Sequence, residues 1–438
     1  MYQKNLFVII KRNYKNILLV LVLVSLLIDF VRMQVKKVDL NDGQTKSWWE
    51  IAYNVENGEG YKACNNSYIP NCAITEQYTA MREPLPILLF ALVGKISNNS
   101  LFSLLLLIII FYLVIFLGVF LLGNNLGGAE VGLLSLFLWT FYVPQERIEN
   151  RLTGDLLSGA FVTLGFVIFT QAVRKNRLRD WLGFGFVMGL AVLSRSALLI
   201  VAVTLVFGYV IYFRDPSLKF KSVVGKGLLS LVILGVTLSP WVVRNYIVFR
   251  QPVIGTTLIG YNLYRHNAIV ATDAPSHYVG PEEARQQIQA LISRHPELQT
   301  PIDEAKVDAI FREEAVKLIL ENPVSYVRLV LYRFLPLWFN IGIREQYNDQ
   351  MSALDYLVVL QQLFLLVVFV LGLWRGNKLL RLFGLSFLAY SMSYLTVGSQ
   401  LRYLIPLMPI VIVISSIGIA EQWRQFSERN KDSWISRI

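Results

Sequence analysis

Long uncharged apolar runs alternate with short basic segments along this chain. The run SLFSLLLLIIIFYLVIFLGVFLLG at 100–123 has no polar face at any helical spacing. A helix needs roughly 20 mostly apolar residues to cross a hydrocarbon core of about 30 Å. No water reaches that core, so a crossing segment must close its own backbone hydrogen bonds, as a helix does. The pattern predicts about ten such helices, at 15–31, 102–121, 127–143, 155–173, 181–194, 196–213, 223–242, 354–373, 382–398 and 403–420. Only Ser194-Arg195-Ser196 separates 181–194 from 196–213, so one longer span merging parts of both is the alternative.

Two shorter apolar segments read differently. PLPILLFALVGKIS at 84–97 is short for a crossing, and its leading prolines suit a first helical turn. It predicts a short interfacial or re-entrant helix. VSYVRLVLYRFLPLWFN at 324–340 carries aromatic residues with Arg328 and Arg333, which would snorkel toward water from an interfacial helix. If it crosses instead, the C-terminal orientation changes.

Composition supports the pattern. Of 438 residues, 55% are hydrophobic and 16% charged, against about a quarter charged in soluble domains. The net charge of +11 would suit a nucleic-acid partner, but its placement excludes one. With the N-terminus in the cytoplasm, the cytoplasmic connectors hold Arg174, Lys175, Arg177 and Arg179, then Arg214, Lys219, Lys221 and Lys226, then Arg375, Lys378 and Arg381. The tail at 421–438 adds Arg424, Arg429, Lys431 and Arg437. This is the positive-inside arrangement. Two long loops, 32–101 and 243–353, fall on the other side, and 32–83 holds six Lys/Arg against seven Asp/Glu. The first span runs into Arg32, Lys36 and Lys37 with no small-residue cleavage site, so it reads as an uncleaved anchor. The expectation is one all-α polytopic membrane domain over 1–438, with no internal repeat.

The loops carry the candidate chemistry. Trp48, Ile51, Ala52 and Val55 recur at helical spacing before Gly58 and Gly60, predicting an amphipathic helix on the membrane with Trp48 and Trp49 as interface anchors. Cys64 and Cys72 share the first loop and are placed to pair as a disulfide in an oxidising compartment. Two cysteines with no histidine nearby are too few for a metal site. In the second loop, Ile302, Ala305, Ala309, Val316 and Ile319 predict an amphipathic helix, interrupted at Pro323. His266, His277 and His295 are too scattered to form a metal motif. Arg82, Arg195, Arg244 and Arg402 all fall at one predicted membrane face. Such charges must snorkel, pair or bind an anion, and a guanidinium grips phosphate bidentately.

Several segments together resemble glycosyltransferase family 39, the polyprenyl-phosphate-sugar transferases that include protein O-mannosyltransferases and the lipid A aminoarabinose transferase. They are IAYNVENGEGY (51–61), TAMREPLPILLFAL (79–92), GLAVLSR (189–195), SPWVVRNYIVFRQPVIGTT (239–257), IGYNLYRHNA (260–269), EEAVKLILENPVSYVRLVLYRF (313–334) and LRYLIPLMP (401–409). The resemblance implies a GT-C glycosyltransferase fold and a polyprenyl-phosphate-linked sugar donor. It further implies an external glycan, lipid or protein acceptor and inversion in one displacement with a loop aspartate as base. On it, Arg82, Arg244 and Arg402 contact or support the donor phosphate, with Arg195 a further candidate, and Tyr246, Asn262 and Tyr264 shape the substrate cavity.

Two positions depart from the family. Where an aspartate often precedes the position matching Ala52, this chain has Gln44, with Asp42 close by. Where a glutamate commonly follows Leu-Ser, it has Gly159, with Asp155 one turn earlier. Asp42 is therefore the expected base and Asp155 a second carboxylate. The sequence identifies no cofactor, and a divalent metal stays open. The resemblance implies a multi-pass protein of the inner (plasma) membrane, with both termini cytoplasmic and the site facing the exterior. An oligosaccharide ligase or polymerase, a lipid or sugar flippase, and an inactive relative are the alternatives.

Overall fold

The computed structural model describes residues 2–35, 43–63, 78–98, 101–145, 153–212, 220–274, 276–299, 303–343 and 350–435. The described elements are almost all helical. In chain order they are α1 (Tyr2–Val35), α2 (Gly43–Glu56), α3 (Pro84–Ser97), α4 (Leu101–Gly127), α5 (Ala129–Thr140), α6 (Gly154–Lys175), α7 (Leu178–Ser194) and α8 (Leu199–Tyr212). There follow α9 (Phe220–Phe249), α10 (Ile259–Asn267), α11 (Pro281–Arg294), α12 (Glu304–Glu321), α13 (Pro323–Tyr332), α14 (Ala353–Arg375), α15 (Lys378–Val397) and α16 (Met408–Ile435).

Every expected span coincides with a helix. Among the described residues six are long and apolar enough to cross a membrane by length and composition: Phe102–Gly127, Gly154–Lys175, Val224–Phe249, Ala353–Arg375, Lys378–Val397 and Ile405–Phe426. Others are shorter than expected. The span at 127–143 is the 12-residue α5, about 18 Å at 1.5 Å per residue, followed by a 3-10 turn at Val143–Gln145. The stretch at 181–213 stays two helices, because Arg195 adopts extended backbone and a 3-10 turn, Ser196–Leu198, intervenes.

Within the bundle α7 packs against α6 and α9, α4 against α5 and α6, and α14 against α16. Where lipid is as apolar as the side chains, helices associate through close packing at small residues. Gly185 of α7 lies so near Ser230 of α9 that an added methyl would strike the Ser230 carbonyl. Gly372 of α14 meets Ile414 of α16 in the same way. Phe166 and Phe383 meet edge to face at 4.9 Å between α6 and α15.

The two long connections fold onto the bundle. In α2, Trp48, Ile51 and Ala52 form the buried face, which packs against α3. Trp48 is 7% exposed, so it is a packing residue and not a free interface anchor. The helix ends as expected at glycines, with Gly58 and Gly60 at φ 79° and 91°. In α12 the buried residues are Glu304, Ala305, Val307, Asp308, Phe311 and Ala315. The inward face is thus rotated from the expected one, and Val316 is exposed. Two carboxylates sit on this face, which a purely apolar pattern could not register.

Arg333 does not snorkel. It is 4% exposed and donates to the carbonyls of Leu395 and Thr396 at the end of α15, to Asn267 and to the His266 carbonyl. The last carbonyls of a helix lack intrahelical partners and carry partial negative charge, so a guanidinium with five donors is more stable there than at a lipid interface.

Candidate active site

The site forms where α6 begins, α7 ends and α16 is approached, against a strip of the first connection. That strip is 79–83. The Thr79 amide donates to the Tyr61 carbonyl at 3.1 Å, and the Ala80 carbonyl accepts from the Thr257 amide at 3.1 Å. Tyr61 Oη donates to the carbonyls of Arg82 at 3.0 Å and Glu83 at 3.3 Å. Glu83 then precedes α3 in extended backbone, with Pro84 at the helix start. Its side chain leaves its own helix uncapped and crosses to the turn after α7. There Oε1 accepts from the Ser196 amide at 3.2 Å and Ser196 Oγ at 3.3 Å.

Arg195 ends α7 just before Ser196. Its half-helical, half-extended position turns the guanidinium onto Asp155 in the first turn of α6, where the two form an ion pair with both side chains largely buried. Arg195 Nε also donates to Tyr394 Oη at 2.7 Å. Its guanidinium lies 5.5 Å from the Tyr394 ring and 5.3 Å from the Tyr403 ring, and those two rings stack at 4.7 Å. Gly154 explains how Asp155 gets so close. An added methyl there would run into the Ser194 carbonyl and touch Trp48 at 3.1 Å and Pro86 at 3.2 Å. Only glycine lets the start of α6 press against α7, α2 and α3 together.

Arg402 stands in a 3-10 turn, Leu401–Tyr403. Its guanidinium lies 5.0 Å from the Tyr403 ring, so Tyr403 is shared between Arg402 and Arg195. Arg82 donates through Nε and Nη2 to Ser47 Oγ at 3.0 and 2.8 Å and covers the Trp48 ring at 5.6 Å. At Gly159 an added methyl would meet the end of the Ile115 side chain at 3.3 Å and the Pro406 backbone at 3.5 Å, so α6 packs closely there.

The sequence candidates therefore divide. Asp155, Arg195 and Arg402 converge around Tyr403, and Arg82 adjoins them through Glu83. Arg244 is committed elsewhere: Nη1 donates to the Thr79 carbonyl at 2.8 Å and to Asn245 Oδ1 at 2.9 Å, and Nη2 to the Tyr61 carbonyl at 3.1 Å. Tyr61, Tyr78, Trp241 and Phe249 surround it, with ring centroids 5.2 to 5.7 Å away. Tyr246 is 55% exposed on the outside of α9. Tyr264 is buried against Phe311 at 5.6 Å, with Asn262 half-buried on the same helix. Asp42, Cys64 and Cys72 lie outside the described residues.

Sequence reasoning passed over Glu83, Tyr394 and Tyr403. Glu83 stood inside a quoted motif, between Arg82 and Pro84, and Tyr403 stood beside Arg402. Tyr394 carried no local signal. Chemically, the cluster offers carboxylates, guanidiniums able to meet a phosphate, and aromatic walls. Among the described residues no group of three or more His, Cys, Asp or Glu side chains is gathered to hold a metal.

Comparison with known proteins bears on the fold. Residues 82–243 match the family model described as dolichyl-phosphate-mannose-protein mannosyltransferase, an interval containing Arg82, Glu83, Asp155 and Arg195. No curated protein matches the chain. Among solved structures, the archaeal oligosaccharyltransferase AglB from Archaeoglobus fulgidus, in complex with an inhibitory peptide and a dolichol-phosphate, superposes with a TM-score of 0.52 at 13% identity, covering 98% of this chain and 52% of that one. The apo form of the Archaeoglobus fulgidus oligosaccharyltransferase gives a TM-score of 0.54 at 15% identity, covering 96% and 52%. This chain spans about half the length of those relatives. The expected architecture is borne out, though not the count of ten spans: the chain is a multi-pass, all-helical membrane protein with the GT-C glycosyltransferase fold, and over 82–243 it matches the dolichyl-phosphate-mannose-protein mannosyltransferase family model.

Proposed function

We propose that this protein is a membrane glycosyltransferase that moves a hexosyl or pentosyl unit from a polyprenyl-phosphate donor to an external glycan, lipid or protein acceptor, with inversion. The observation that carries the reading is the convergence of Asp155, Glu83, Arg195 and Arg402 at one end of a GT-C bundle. The basic connectors support a plasma-membrane setting with both termini cytoplasmic and the site outward.

In the transfer, the acceptor oxygen attacks the anomeric carbon while a carboxylate takes its proton. The bond from that carbon to the phosphate oxygen breaks, and its electron pair stays on the phosphate. Arg402 and Arg195, with Arg82, stabilise that growing charge. Asp155 holds the Arg195 guanidinium in place through their ion pair. Asp42 is the proposed base. It immediately precedes α2, whose Ser47 and Trp48 touch Arg82. Glu83 is the second carboxylate available for that proton.

The test offers the purified full-length chain a panel of polyprenyl-phosphate sugars and reads products by mass spectrometry. Asp42→Asn is expected to lower turnover by about 100-fold or more with donor affinity retained. Normal turnover in that variant would reassign the base to Glu83. An oligosaccharide added in one step would favour the ligase reading. Lipid translocation without product would favour the flippase. Chelator treatment of the wild type checks for a divalent metal.

A further inference from the structure

One buried carboxylate ties the two long connections together. Glu304 opens α12 and is 5% exposed. The helix start does not need it, because Asp303 already accepts from the Ala305 and Lys306 amides. Glu304 instead reaches across to the first connection. Its Oε2 accepts from Thr79 Oγ1 at 2.7 Å and its Oε1 from the Ala80 amide at 3.0 Å. One turn on, Asp308 does the same toward α10, accepting from the amides of Gly260 at 2.6 Å and Tyr261 at 3.1 Å.

The strip so held is the one that delivers Arg82 and Glu83. Every polar backbone group of Thr79 and Ala80 has a partner. These are the Tyr61 carbonyl and Arg244 for Thr79, and Glu304 and the Thr257 amide for Ala80. The Met81 amide closes back on Thr79 Oγ1 at 3.0 Å. A tie between two loops made only for stability could be apolar at lower cost, since a buried carboxylate must first be stripped of water. What the carboxylate supplies is two acceptors that match two donors, and so a fixed position for the strip.

We propose that Glu304 is a positioning residue. It fixes 79–83 on α12 so that Arg82 and Glu83 reach Ser47 and Ser196, and alignment of the site depends on docking of the second connection. The consequence for turnover rests on the transferase reading above, whereas the tie itself does not. Thr79 and Ala80 face Glu304 from the first connection, with Tyr61 nearby, Arg244 faces it from α9, and Asp308, paired with Arg312 at 3.1 Å, flanks it on its own helix. Burial drives the Glu304 carboxyl up to about 7, against its two bonds and the Arg244 charge, with Asp308 adding to the rise. Ionised, it accepts from both donors. Protonated, one oxygen becomes a donor and the paired acceptance is lost.

The test uses the full-length protein in lipid nanodiscs. Hydrogen exchange should rise in the peptide containing Thr79–Glu83 for Glu304→Ala, and for Thr79→Val as an independent variant, while α6 and α14 keep wild-type protection. Glu304→Gln, which like the protonated acid offers one acceptor and one donor, should restore only part of that protection. With an active polyprenyl-phosphate sugar, Glu304→Ala should lower kcat by ~10- to 100-fold with little change in donor KM. Wild-type kcat should fall as pH drops through about 7, and Glu304→Gln should lack that limb. Unchanged exchange in Glu304→Ala and Thr79→Val, with the wild type active, would overturn the proposal. So would a pH limb that survives in Glu304→Gln. If the wild type transfers no sugar from any donor, the transferase reading fails, and the exchange comparison still decides the tie.

Discussion

Arg195, Arg244 and Arg333 have the same side chain and three different jobs, each set by the acceptors around it. Arg195 balances the buried Asp155 charge. Arg244 gathers two carbonyls inside an aromatic box. Arg333 caps a helix end. Removing one partner of a buried ion pair strands the other charge without water, at about 3–5 kcal/mol. Arg195→Ala should therefore lower the unfolding midpoint in detergent markedly, and adding Asp155→Asn should recover part of the loss. An Arg195→Ala protein as stable as the wild type would mean that Asp155 has other partners. Arg402 differs because its guanidinium rests on the Tyr403 ring, 5.0 Å away. Arg402→Ala is expected to weaken binding of a polyprenyl phosphate about tenfold or more, a charge-assisted contact being worth roughly 1.5–3 kcal/mol. Arg244→Lys should instead lower turnover at unchanged donor affinity. Lysine cannot span the Thr79 and Tyr61 carbonyls as a planar fork does, and isothermal binding set beside initial rates separates the two cases.

At the level of the element, α12 is amphipathic in an unusual sense, since its inward face carries Glu304 and Asp308 among apolar residues. That makes its docking sensitive to pH in a definite direction. Glu304 sits at about 7 in the folded chain against an ordinary value of 4.5. Between those values the folded chain holds a proton that the unfolded chain has released, so this group's contribution to stability falls as pH rises from about 4.5 to about 7 and then levels off. The full effect is at most on the order of 3 kcal/mol. Glu304→Gln has no such proton. The difference in unfolding midpoint between it and the wild type should grow in the variant's favour from pH 5 to pH 8, and a constant difference would show that Glu304 is not the group titrating. Ionisation thus costs global stability while completing the local bonds that hold 79–83, the balance expected where a strip is positioned for function. The short elements have a related logic. The 12-residue α5 and the break at Arg195 shorten their helices, and the Arg195 break is what brings a guanidinium and Ser196 to the site.

Over the whole molecule, the bundle itself was legible in the chain. Apolar runs too long and too uniform for a soluble core demand helices, because nothing else satisfies a backbone in lipid. Lys and Arg in the connectors predict one orientation, and the motifs around Arg82, Arg195 and Arg402 resemble those of a phosphate-bearing-donor transferase. Asp155 and Arg195 were both visible as candidates, yet not as partners, since 40 positions of sequence and a helix turn separate them and only the close approach at Gly154 joins them. Likewise Arg244 read as one more cation at the membrane face until Tyr61, Thr79 and Asn245 enclosed it. Sequence alone determines where the backbone must be helical and where charge is affordable, because hydropathy acts locally and along the chain. Which cation meets which carboxylate, which tryptophan is buried under an arginine, and which glutamate holds the strip at 79–83 were decided only by tertiary structure, because those interactions join residues such as Thr79 and Glu304 that lie 225 positions apart and depend on angstrom-scale approach that no periodicity records.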